Sequence, residues 1–172
     1  MRIAITGKMC YGKTILANII KEYNNEYQIF SFGQKVKDIA IDLFDMQNKN
    51  RSLLTNIGTK MREIDPDIWA KNIIKKCEGL DNVIIDDLRY QNEYEYLLKH
   101  DFKIIILTLS PKIQIERIKK LYPENYQDHL NNMCHVSEIG LKLKEKENNY
   151  LNIDMSQDLN IIRDIVYKYL LK

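Results

Sequence analysis

Apolar residues fall along this chain in two rhythms: short runs of mostly β-branched residues, and longer stretches in which they return every three or four positions. The first rhythm suits strands buried on both faces, and the second suits the inward stripe of helices. Arg2–Thr6 (RIAIT) opens with the strand rhythm, and Ile15, Leu16, Ile19, Ile20 and Tyr23 follow at helical spacing. Tyr27–Phe32 reads as a second strand, punctuated by Gly33, and Val36, Ile39, Ala40, Leu43 and Phe44 then form one helix face. Gln47–Ser52 is a polar loop. Leu53, Leu54, Ile57, Met61 and Ile64 predict the next helix, in which Gly58 costs up to about 1 kcal/mol against alanine. That glycine allows either a close approach by another group or a kink. Asp65-Pro66 reads as a cap followed by proline at the first helical position. Trp69, Ala70, Ile73, Ile74 and Cys77 continue as a stripe that Gly79 ends.

Val83–Ile85 is a short buried strand running into Asp86-Asp87. Asn92 is the expected cap of a helix facing Tyr94, Leu97 and Leu98 inward. Lys103–Leu109 (KIIILTL) is the clearest strand, and Ser110-Pro111 repeats the cap-and-proline start for a helix bearing Ile115, Ile118 and Leu121. From Tyr122 to Glu147 the chain turns polar and its period weakens, which predicts a mobile lid. Tyr150–Ile153 is the last strand. A final helix beginning at Ser156 carries Leu159, Ile162, Val166, Tyr169 and Leu170. Strands alternating with helices predict an α/β fold of three layers, with about five parallel strands covered by helices on both faces. Ligands of such sheets lie beyond the carboxyl ends of the strands.

With 172 residues, 29% charged and 45% hydrophobic, the chain suits a single domain, 1–172, with a sizeable core. A net charge of +2 gives no argument for nucleic acid as a partner. Cys10, Cys77 and Cys134 are odd in number and far apart, so neither a zinc site nor a disulfide framework is expected, and a reducing cytoplasmic setting fits best. No apolar run approaches the roughly 20 residues of a membrane span. The N-terminus enters a strand at once, so no signal peptide is expected.

The chemistry concentrates in Gly7-Lys8-Met9-Cys10-Tyr11-Gly12-Lys13-Thr14 (GKMCYGKT), which fits G-x-x-x-x-G-K-[ST] at every fixed position. This is the phosphate-binding loop, here in its required context of strand, loop and helix. Its glycines permit positive φ and close backbone approach, and its successive N–H groups form a nest for an anion. Lys13 can neutralise the β- and γ-phosphates of ATP, and Thr14 can offer its hydroxyl to Mg²⁺. Asp86 and Asp87 end a buried strand, where such proteins keep the acidic partner of the metal. Adjacent strand residues point to opposite sides. Asp87 is the expected metal-side acid, because Arg89 then projects to the same side.

At this point a resemblance enters. Asp87-Leu88-Arg89-Tyr90-Gln91-Asn92-Glu93 resembles the D-V-R-F-x-N-E segment of the phage-type deoxynucleoside monophosphate kinases, enzymes of large DNA phages and related viruses. Ser31-Phe32-Gly33 with Val36-Lys37-Asp38-Ile39-Ala40 is similar to that family's S-F-A-x-x-L-K-x-x-A segment. Gly58-Thr59-Lys60-Met61-Arg62 followed by Asp65-Pro66-Asp67-Ile68-Trp69 is similar to its G-T-x-x-R…D-x-W. His135-Val136-Ser137-Glu138 resembles its H-x-S-E. The pieces run in order across nearly the whole chain.

The resemblance implies ATP as donor, Mg²⁺, a nucleoside monophosphate as acceptor, and a homodimer as one assembly open to the chain. It implies that Arg62 and Arg89 hold the acceptor phosphate, that Ser31 and Lys37 border its pocket, and that Trp69 either stacks on a base or anchors the core. The acceptor region spans about residues 33–78 and the lid about 117–147. Arg117, with Lys119 and Lys120, either closes over the transferring group or completes a helix terminus. His129 and His135 are expected in surface or structural roles rather than as metal ligands. The sequence departs from the family at Tyr11, which is bulkier than usual before the second glycine, and at Asp86, an extra acid. Two other classes compete. One is a kinase of another phosphorylated metabolite, since animal-type phosphomevalonate kinases share the D-x-R and W segments. The other is a regulatory NTPase, although no basic tail or N-K-x-D motif supports it.

Overall fold

The computed structural model describes residues 1–48, 50–131, 133, 141–142 and 150–171. Among these, five strands form one sheet in the order β2-β3-β1-β4-β5: β1 Arg2–Thr6, β2 Gln28–Phe30, β3 Val83–Leu88, β4 Phe102–Thr108 and β5 Tyr150–Asp154. All neighbouring pairs are parallel, with Arg2 opposite both Val83 and Phe102 across the central strand. Among the described residues, eight helices connect and cover them: α1 Lys13–Tyr23, α2 Phe32–Phe44, α3 Arg51–Ile64, α4 Ile68–Lys76, α5 Gln91–Leu98, α6 Pro111–Leu121, α7 Tyr126–Asn131 and α8 Leu159–Leu170.

Strand pleating divides the core in two. Ile3 and Ile5 point to one face, where they pack with Leu16 and Ile20 of α1 and Ile162 and Val166 of α8. Ala4 points to the other, among Trp69 and Ile73 of α4 and Tyr94 and Leu97 of α5. Because both faces are covered, β1 and β3 read as continuous apolar runs rather than alternating ones.

Several boundaries differ from the sequence pattern. The second strand stops at Phe30. Ser31 is the extended N-cap of α2, and Phe32 and Gly33 are already helical. The polar stretch before the third helix is shorter than expected, because Asn50 accepts the N–H of Leu53 at 3.0 Å and so starts α3 at Arg51. Asp65-Pro66 does not cap α4. Asp65 closes α3, and Asp67 is the N-cap of α4. Asn92 lies inside α5, whose N-cap is Tyr90; its side chain donates instead to the Pro66 carbonyl at 2.8 Å and to Asp67 Oδ1 at 3.0 Å. The last helix begins at Leu159 rather than Ser156, capped by Asp158, whose carboxylate accepts the N–H of Asn160 at 2.8 Å. Within the expected lid, α7 is ordinary helix. Cys134, His135 and the H-x-S-E segment lie outside the described residues. No helix among the described residues is long and apolar enough to cross a membrane.

Candidate active site

The loop Gly7–Thr14 leaves the central strand β1 and turns into α1, beside the ends of β3 and β4. Its conformation depends on its glycines. Gly7 (φ 154°) has no room for a side chain: a Cβ would lie 2.9 Å from Leu107 Cβ. Gly12 (φ 94°) is the left-handed N-cap of α1, where a Cβ would meet Met155 Cε at 2.9 Å. Cys10 also takes a left-handed φ of 63°. Lys13 folds its ammonium back over the loop, donating to the carbonyls of Gly7 at 2.5 Å and Lys8 at 2.9 Å. Tyr11 is buried in the α1–α8 cluster, so its bulk goes into the core. Thr14 stands exposed in the first turn of α1.

Turning a loop's amides toward an anion leaves its carbonyls to be satisfied elsewhere. Helix α6 supplies the donors. Gln114, 2% exposed, donates to Met9 O at 2.9 Å. Arg117 donates to Cys10 O at 3.4 Å and to Met155 O at 2.6 Å, tying the loop to the end of β5. In this conformation Arg117 braces the loop from α6.

The two aspartates ending β3 diverge, as adjacent strand residues must. Asp87 turns toward α2, and its two oxygens accept the N–H groups of Phe32 at 2.7 Å and Gly33 at 3.0 Å. It caps the positive end of that helix. Asp86 lies in the fields of Lys13 and Lys37. Burial, and then the adjacent Asp87 charge, push its carboxyl up to about 6 against the pull of those two lysines.

Beyond the loop opens a cleft of about 1060 Å³, bounded by Met9, by α2 and α3, and by the β3–α5 turn. Lys37, Arg62, Trp69, Asp87 and Arg89 all line it, whereas Ser31 does not. Trp69 is only 3% exposed and donates its indole N–H to Gly58 O at 3.2 Å, so it anchors α4 to α3 as well as forming cleft wall. The Gly58 carbonyl also accepts Arg62 Nη1 at 3.2 Å, and a Cβ there would meet that nitrogen at 3.4 Å, an ordinary contact. Arg62 is gripped a second time by Glu93, with Nη2 to Oε1 at 3.0 Å, and its guanidinium lies over the Tyr90 ring at 4.1 Å. Glu93 Oε2 accepts the N–H groups of Arg89 at 3.2 Å and Tyr90 at 3.1 Å. Burial raises the Glu93 carboxyl above the usual range, while those N–H groups and Arg62 pull it down.

On the far rim, His129 is 2% exposed, stacked on Tyr122 at 3.9 Å, with Nδ1 3.1 Å from Arg51 Nη2. It joins α7 to the start of α3. Sequence reasoning did not find Gln114, the capping role of Asp87 or the grip of Glu93. Two signals were available: a polar residue four positions before Ile118 on the inward stripe of α6, and an acid at the third helical position after Tyr90, where capping boxes keep one.

Residues 3–138 match a family model, AAA_18, described as an AAA domain. The chain belongs to this family. No curated protein matches it significantly. In fold it is similar to TT1252 from Thermus thermophilus (TM-score 0.67, 11% identity, 99% of this chain and 96% of that one). It is also similar to a gluconokinase from Sinorhizobium meliloti 1021 (TM-score 0.58, 14% identity, 97% and 89%). A third is the deoxyadenosine kinase from M. mycoides with products dCMP and dCDP bound (TM-score 0.54, 17% identity, 99% and 98%). At these identities the likeness speaks for the fold. A parallel five-stranded sheet with helices on both faces is the P-loop NTPase and kinase fold.

Proposed function

We propose that this protein transfers the γ-phosphoryl group of ATP to a nucleoside monophosphate, with a deoxynucleotide as the acceptor that the sequence resemblance favours. One observation carries the reading: the cleft that begins at the phosphate loop is lined by three arginines, Arg51, Arg62 and Arg89, and the last two are those the sequence resemblance assigns to an acceptor phosphate. Its volume of about 1060 Å³ is ample for a nucleotide. Arginine suits the task because its planar fork binds phosphate in a bidentate manner.

The residues present fit ATP and Mg²⁺. Gly7 and Gly12 hold the loop at positive φ, which other residues rarely adopt, and a Cβ at Gly7 would press on Leu107 Cβ. Thr14 and an aspartate at the end of β3 would hold the metal. With both oxygens of Asp87 on α2, Asp86 is the better candidate. When bound, Mg²⁺ would draw charge from the β- and γ-phosphate oxygens. The protein's own part is positioning and charge neutralisation. The loop amides and the α1 N-terminus hold the triphosphate tail. Lys13 exchanges its carbonyl partners for phosphate oxygens. Arg62 and Arg89 hold the acceptor in line, and an anionic acceptor needs no dedicated base.

The test is a coupled ADP-release assay over all ribo- and deoxynucleoside monophosphates, with phosphomevalonate in the same panel. The expected result is turnover with one or a few nucleoside monophosphates. Turnover with phosphomevalonate alone, or ATP hydrolysis indifferent to every acceptor, overturns the assignment.

A further inference from the structure

Glu93 is a charged side chain only 1% exposed in the wall of the cleft. Burying a carboxylate is costly, and even a paired one adds little to stability. A helix start can be capped by a short exposed polar residue without that cost. The partners of Glu93 suggest what it does instead. Oε1 takes Arg62 from α3, 31 residues earlier in the chain, and Oε2 takes the backbone N–H groups of Arg89 and Tyr90. One carboxylate thus ties Arg62 of α3 to the segment that carries Arg89.

We propose that Glu93 is a positioning residue for the acceptor anion, fixing the guanidinium of Arg62 and the backbone at Arg89 in a single geometry before the acceptor arrives. The proposal rests on the reading that this cleft takes an anionic acceptor. Arg62 is held in its plane by the Tyr90 ring at 4.1 Å and turned in that plane by the bonds to Gly58 O and Glu93 Oε1. It is oriented but not saturated: each terminal nitrogen keeps a second N–H. An arginine already fixed loses less conformational freedom when it binds. The negative charge of Glu93 also offsets the repulsion between the Arg62 and Arg89 guanidinium groups before any anion is bound. Its own oxygens are occupied, and a carboxylate would repel an anionic substrate. It therefore acts through the arginines.

The experiment compares the wild-type protein with Glu93→Gln, and with Glu95→Gln as a control for charge loss at an exposed position on the same helix. A nucleoside monophosphate is titrated calorimetrically without ATP, and KM is measured for both substrates. E93Q is expected to weaken monophosphate binding and raise acceptor KM about tenfold or more, with ATP KM nearly unchanged and E95Q like wild type. Combining E93Q with Arg62→Met should cost less than the product of the two single losses, because the pair acts as a unit. If E93Q does not fold, Glu93→Asp keeps the charge but withdraws it by one methylene, and should show a severalfold weaker acceptor. An E93Q variant that melts earlier yet binds acceptor normally, or loses both substrates equally, overturns the positioning role; so does E93D with wild-type acceptor affinity. A wild-type protein that binds no nucleoside monophosphate overturns the reading of the cleft and this proposal with it. Equal binding by wild type and E93Q overturns the positioning role alone.

Discussion

On one face of the sheet, the cluster of α1 and α8 supports a loop whose polar groups are backbone amides and one lysine. On the other, the cluster of α2, α4 and α5 supports a cleft whose polar groups are side chains brought from far apart in the chain. The loop is built from eight consecutive residues, so its chemistry is local. The cleft depends on tertiary packing: Asp87 caps a helix that starts 55 residues before it, and Glu93 grips Arg62 across 31. The first kind of site tolerates little backbone change. The second fails when a distant partner is lost.

Replacing Lys13 with alanine should separate the two most sharply. Turnover should fall by about a hundredfold or more, while the melting temperature stays near wild type because the bonds from its ammonium to the Gly7 and Lys8 carbonyls stay within the loop. Near-normal turnover in that variant would remove the loop from the mechanism. Arg89→Ala attacks the other face. Acceptor KM should rise about tenfold to a hundredfold with ATP KM little changed, and equal losses for both substrates would erase the contrast. Gln114→Leu should act on the loop indirectly. Losing the bond from Gln114 to the Met9 carbonyl loosens the loop's tie to α6, so ATP KM should rise roughly three- to tenfold while acceptor KM holds. The smallest effect concerns Cys77. Its thiol is fully buried and its pKa is pushed up by that burial. Peptide mass mapping after brief alkylation near neutral pH should find it unmodified in native protein and modified in urea.

The same contrast explains what could be read beforehand. The strand runs, the alternation that makes a parallel sheet, and the GKMCYGKT loop were all visible because each is a property of neighbouring residues. Ser110-Pro111 was read correctly for the same reason: the serine oxygen accepts the N–H of Ile113, three positions on. Asp65-Pro66 carries the same local signal, yet the helix starts two residues later. Asp65 is held by Lys71 at 2.7 Å and by the N–H of Asp67 at 3.0 Å in a turn between two helices. Gln114 and Met9 are 105 residues apart, and no local pattern relates them. Choosing between Asp86 and Asp87 required knowing that α2 would present bare amides to one of them.

The order β2-β3-β1-β4-β5 has a consequence for how the protein is made. The central strand leaves the ribosome first, but its two neighbours, starting at Val83 and Phe102, are synthesised much later. At ordinary elongation rates β1 waits roughly 4–16 s for its first partner. Through that interval Ile3, Ala4 and Ile5 have no sheet to join, so nascent chains stalled before Val83 should be the ones chaperones hold longest.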